Sequence, residues 1–147
     1  MNNDMNNQKF QILNQFLKDL SFEAPSSPAV FFEKNDTAPS IDTKFEIKTI
    51  NSGENLFEVN LQLQVSSKLK EKTLFLIEIS YSAMVNTNPK ELPEDKIVET
   101  LIKEVSPYLY PYVREIVTIL TKDSGFPPFV MTAIDFNKIE IQKTDKK

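Results

Sequence analysis

Three short stretches of this sequence have the residue types and spacing of known catalytic groups. Asp123-Ser124-Gly125 matches the Asp-Ser/Thr-Gly signature of aspartic proteases, which need two such carboxylates sharing one proton. Only one copy occurs, and it closes a strong helical pattern, where a glycine past a basic last turn is an ordinary C-cap. Ser67-Lys68-Leu69-Lys70 has the Ser-x-x-Lys spacing of serine acyl enzymes, in which the pair opens a helix and works with further motifs. Here it lies between two strand-like stretches and reads as a solvated turn. Asp19 and Glu23 flank Leu20-Ser21-Phe22; on a strand, positions 19, 21 and 23 point to one side. Such a pair serves either as the acid and base of a glycosidase or as part of an exposed acidic face that attracts a basic partner. No pocket signal accompanies the pair, so the acidic face is the expectation.

The absences exclude most other chemistry. With no histidine, the chain has no imidazole base, no Ser-His-Asp triad and no imidazole-ligated metal. With no cysteine, it has no thiol nucleophile, disulfide or thiolate zinc site, which fits a reducing compartment. Gly53 and Gly125 are the only glycines, too few and too far apart for a phosphate loop or a dinucleotide fingerprint. No enzyme activity and no cofactor are expected. A net charge of −4 with a single arginine, Arg114, argues against nucleic acid, whose binding is driven by Lys and Arg neutralising phosphates. The longest strictly apolar run, Leu74 to Ile77, is far short of the ~20 residues of a spanning helix. Residues 1–9 are polar and rich in asparagine, unlike a secretory signal.

The elements that must position these residues follow from periodicity. At 147 residues the chain is one domain's worth. Ile41, Thr43, Phe45, Ile47 and Thr49 alternate with polar residues, as do Phe57, Val59, Leu61, Leu63 and Val65; Asn51 to Asn55 is the turn between them. A polar link, Ser66 to Lys72, leads to a third strand over Thr73 to Tyr81, with Phe75, Ile77, Ile79 and Tyr81 on one face. Pro93 is placed to open a helix carrying the stripe Ile97, Val98, Leu101, Ile102 and Val105. Ser106-Pro107 has the form of an N-cap and N1 of a second helix, buried through Val113, Ile116, Val117 and Leu120, with Pro111 kinking its start. Residues 10 to 23 fit a helix face (Phe10, Leu13, Leu17, Leu20) and a strand face (Phe10, Ile12, Phe16, Leu20, Phe22) alike. Residues 24 to 40 read as a proline-rich crossover. An α+β domain over residues 10–142 is expected, between a disordered polar start at 1–9 and a polar tail at 143–147. Eleven Phe and four Tyr are present, and Phe31-Phe32, Tyr108-Leu109-Tyr110 and Phe126-Pro127-Pro128-Phe129 fall in or beside expected loops. They are core plugs, oligomer contacts or a binding groove.

Four stretches together resemble the SecB family of protein-export chaperones: Phe16 to Pro28 (FLKDLSFEAPSSP), Leu76 to Ile79 (LIEI), Leu109 to Glu115 (LYPYVRE), and Ser124 to Phe129 (SGFPPF) with Ile134-Asp135-Phe136. Their order and spacing match over about residues 10 to 140. The resemblance implies a four-stranded antiparallel sheet with two to three helices on one face, with 10 to 23 as an edge strand. It implies a cytoplasmic homotetramer, a dimer of dimers, that holds non-native precursor proteins without ATP and passes them to the SecA motor. By position, the family's SecA-contacting patch falls on Asp19, Glu23, Leu76 and Glu78. The loop-borne Phe31, Phe32, Phe126 and Phe129 become candidate client contacts. A general or antitoxin-associated holdase on the same scaffold is the alternative. The crossover lacks the tryptophan usual in relatives, and Ala83, Ser124 and Ala133 replace residues usual in the family.

Overall fold

A computed structural model describes residues 7–141. The expected polar tail at 143–147, and all but the last residues of the polar start, lie outside the described residues. Four long strands, β1 (Phe10–Glu23), β2 (Ser40–Gly53), β3 (Leu56–Leu69) and β4 (Lys72–Thr87), form one antiparallel sheet in the order β1-β4-β3-β2. The ambiguous segment 10 to 23 is therefore an edge strand. Its register against β4 breaks between Ile12 and Asn14 and between Leu17 and Asp19, so β1 carries two β-bulges.

One face of the sheet is apolar. Val59, Leu61, Leu63 and Val65 of β3 and Ile77, Ile79, Ala83 and Val85 of β4 are almost fully buried. The third expected strand ends later than its alternation suggested, at Thr87 rather than Tyr81. The expected polar link at Ser66 to Lys72 is shorter than predicted. β3 continues to Leu69, and Lys70, at φ 57°, makes the tight turn with Glu71.

The helical layer is one rod rather than two helices. Pro93 precedes a 3-10 turn, Glu94–Lys96; then α1 (Ile97–Thr100), a π-helical turn (Leu101–Val105) and α2 (Ser106–Asp123) follow without a break. Ser106 is not an N-cap: its backbone is helical (φ −54°, ψ −37°), and its buried hydroxyl has no hydrogen-bond partner among the described residues. Pro107 supplies no N–H and its ring crowds the carbonyl four residues back. The wide π turn just before it opens the hydrogen-bond ladder where the proline would otherwise break it. Tyr108 and Tyr110 therefore sit within helix, not at its edge. Leu109, Val113 and Val117 pack onto the sheet with Leu101 and Val105, all 0% exposed.

After α2 the chain runs back as a strap. Phe129 is fixed at both backbone groups: its N–H donates to Thr121 Oγ1 and its carbonyl accepts from Thr118 Oγ1, each at 2.9 Å. The Tyr110 hydroxyl donates to the Thr132 carbonyl. Burial raises the Tyr110 phenol above its usual range, and Arg114 over the ring, 5.8 Å from its centroid, partly offsets this. Phe136 then docks against Tyr110 and Phe45.

Candidate functional site

The strand pairings lay out the second sheet face, which no element among the described residues covers. Three rows cross all four strands: Asp42–Ser66–Leu76–Glu23, Lys44–Gln64–Glu78–Ser21 and Glu46–Gln62–Ser80–Asp19. Asp19, Glu23 and Glu78 are all exposed, and Leu76 is half-buried among them. The four residues expected as a docking patch thus share one surface. Sequence reasoning missed Asp42 and Glu46, which extend the acidic surface to β2, and Lys44 between them. The alternation of β2 already carried that signal, because 42, 44 and 46 oppose Phe45 and Ile47.

Asp19 and Glu23 are not placed as a glycosidase pair. Four residues along a strand separate Asp19 from Glu23 by roughly 13 Å, beyond the ~5–9.5 Å of an acid pair. The other two catalytic patterns resolve differently: Asp123-Ser124-Gly125 is the helix cap expected, whereas Ser67-x-x-Lys70 is not the solvated turn expected, because β3 runs on to Leu69. Ser67 is buried in β3 while Lys70 is in the turn. Asp123 ends α2, followed by Gly125 at φ 90°. Its N–H donates to the Lys122 carbonyl at 3.2 Å, and Phe126 N–H donates to the Thr121 carbonyl at 3.1 Å, closing the cap. Among the described residues no group of three or more His, Cys, Asp or Glu could hold a metal ion.

Further along the same face, Lys18, the extra residue of the second β1 bulge, reaches over β4 to β3. Its Nζ donates to Glu58 Oε2 at 2.8 Å, and Ser82 Oγ donates to the same oxygen at 2.6 Å. Asn60 Nδ2 donates to Ser80 and Ser82, both at 2.8 Å. Burial pulls the Glu58 carboxyl upward, but the Ser82 hydroxyl and the Lys18 ammonium outweigh it and hold the group below its ordinary 4.5. This network ties the edge strand to a strand that it does not pair with.

The apolar face ends in an aromatic cluster. The phenyl rings of Phe22 and Phe75 are 6.4 Å apart, those of Phe75 and Phe126 5.4 Å, and those of Phe126 and Phe31 5.4 Å. Phe31 comes from the crossover, in a 3-10 turn, Ala29–Phe32. Of the four expected client contacts, Phe31 and Phe126 meet in this cluster. Phe129 is half-buried on the strap, and Phe32 stands alone in solvent at 84% exposure. Phe22 and Phe75 were read only as strand-face residues. That they meet Phe31 and Phe126 depends on where the crossover and the strap return, which local periodicity does not encode.

A model of the family described as preprotein translocase subunit SecB matches residues 3–147. The chain belongs to the SecB family. Proteins named protein-export protein SecB are similar along most of its length. The one from Paramagnetospirillum magneticum is 36% identical over 87% of this chain and 81% of its own. Those from Sphingopyxis alaskensis and Methylococcus capsulatus are each 34% identical, over 90% and 96% of this chain and 74% and 88% of their own. The fold is also that of a SecB-like chaperone from Mycobacterium tuberculosis, solved in complex with an antitoxin peptide: TM-score 0.70, 18% identity, 86% of this chain and 91% of that one. The family's sheet, with its edge strand and one helical layer, is what this sequence forms. No helix among the described residues is long and apolar enough to cross a membrane.

Proposed function

We propose that this chain is an ATP-independent export chaperone that holds non-native precursor proteins and delivers them to the SecA motor in the cytoplasm. The observation that carries the reading is the strand segment Phe75–Glu78 of a SecB-family chain. Phe75 and Ile77 face an aromatic cluster on one side of the sheet, while Leu76 and Glu78 face an open acidic surface on the other. Clients engage the apolar side, through Phe31, Phe32, Phe126 and Phe129. Each large apolar side chain buried there contributes ~1.5–3 kcal/mol, enough in combination to hold an extended segment without folding it. SecA docks on the acidic side, with Leu76 as a small apolar anchor among Asp19, Glu23 and Glu78. Neither task needs catalysis or a cofactor.

The working form is a homotetramer, a dimer of dimers. Tyr108, Tyr112 and Ile119 are exposed along the outer side of α2, and Leu13, Leu17 and Leu20 are exposed along β1. Tyr112 stacks on Tyr81, which pairs with Leu17, so the two stripes join into one apolar surface. A second copy of the chain is the occupant that such an exposed apolar stripe favours. Relatives with export names at 34–36% identity support the export reading over an antitoxin-associated holdase. The test is refolding of a denatured, slow-folding maltose-binding-type client without nucleotide. The chain should slow it; an unchanged rate contradicts the proposal.

A further inference from the structure

We propose that the Ala29–Phe32 turn is a displaceable plug: in the empty chaperone Phe31 holds the position over Gly125 that an aromatic client side chain takes. This rests on the client-binding reading above and refines it: Phe31, placed there among the client contacts, fills the site in the empty chaperone and gives way to the client, while Phe126 stays as the contact.

The slot and its filler are held very differently. Gly125 and Phe126 are fixed by the cap hydrogen bonds of α2, and Phe75 is a central-strand residue, 3% exposed. A Cβ on Gly125 would lie 3.0 Å from Phe31 Cζ and 3.3 Å from its Cε1, so the glycine is a floor that admits a ring edge and little else. The turn that supplies the ring has no fully buried residue: Val30 packs partly against the core, and Phe31 itself is 46% exposed. Two polar tethers hold its flanks: Ser26 Oγ donates to the Thr73 carbonyl at 2.8 Å, and Lys72 pairs with Glu33 at the surface. A rigid apolar slot is thus filled by a ring on a lightly tethered turn, with Phe32 beside it in solvent. An incoming ring replaces the contacts that Phe31 gives up, while the surface ion pair is weak and screened by salt.

The plug lowers client affinity by the fraction of time it is closed; a slot open about a tenth of the time weakens apparent binding about tenfold. The chain has no tryptophan, so Phe31→Trp provides a single emission reporter. The probe is a short, dye-labelled, tryptophan-free peptide rich in phenylalanine. Its binding is followed by anisotropy, and indole emission is read with the unlabelled peptide. The emission should shift to the red as the peptide binds. In parallel, Phe31→Ala should bind the peptide about tenfold more tightly than the wild type. Lys72→Ala should gain less, and its affinity should lack the rise with salt that screening of the Lys72–Glu33 pair gives the wild type. Peptide that binds the wild type with an unmoved or blue-shifted indole, or more weakly to Phe31→Ala, overturns the plug and leaves the client reading standing. Peptide that binds neither the wild type nor Phe31→Ala overturns both.

Discussion

Phe75 and Ile77 are buried, while Leu76 and Glu78, their neighbours in the same strand, face an open surface. On the first side most side chains of the central strands are held by others: strands, helix rod, strap and crossover all meet there. On the second side, around Glu78, the side chains are positioned by the sheet backbone and are exposed or half-buried. Packing therefore couples substitutions on the helical side to the stability of the whole domain. On the open side the charges can be changed without disturbing the fold, which suits a docking surface that must be gripped and released.

The sharpest way to break this contrast is to cut the packed side. Leu109→Ala removes a fully buried side chain between helix and sheet and should cost about 2–5 kcal/mol in urea unfolding. A cost below that of a surface substitution would mean that the helical layer is not held by this packing. Phe126→Ala, in the aromatic cluster, should weaken client binding by roughly the 1.5–3 kcal/mol of one buried aromatic, read by peptide anisotropy, with SecA affinity unchanged. Asp19→Ala, Glu23→Ala and Glu78→Ala combined should lower SecA affinity about tenfold at low salt, and the difference should close as salt rises. Each of the three should change unfolding stability by only ~0.5 kcal/mol or less.

A further small effect tests the one place where the open face is interlocked. The folded Glu58 carboxyl titrates below its unfolded value, so its contribution is present above about pH 4.5 and is lost as pH falls through the lowered value. Lys18→Met should therefore cost about 1 kcal/mol or less at neutral pH. The gap between variant and wild type should narrow in acid, as followed by urea midpoints across pH. A gap that widens in acid would reverse the sign of this coupling.

How far the sequence revealed this arrangement depended on whether an element kept its period. β3 did, and Val59 to Val65 could be assigned to the core directly. β1 did not: its core-facing positions are 10, 12, 15, 17, 20 and 22, steps of two and three that alternate because each bulge inserts a residue. That mixture matches parts of both a strand and a helix period, which is why 10 to 23 read as both. The Ser106-Pro107 signal failed for a related reason, since a π turn absorbed the proline that a regular helix would have ended at. The acidic patch was legible because Asp19, Glu23 and Glu78 lie where local alternation holds. The aromatic cluster was legible only in its composition, because its four rings come from four separate segments.

The most direct test of two independent surfaces on one chaperone is sedimentation of a mixture of unfolded client, SecA and the Asp19→Ala/Glu23→Ala/Glu78→Ala variant at low salt. The chaperone itself should sediment as a tetramer of about 68 kDa, four times 16.9 kDa. The variant should carry the client as the wild type does and fail to bring SecA into the complex. A variant that recruits SecA as fully as the wild type, or that has lost the client as well, would contradict the account.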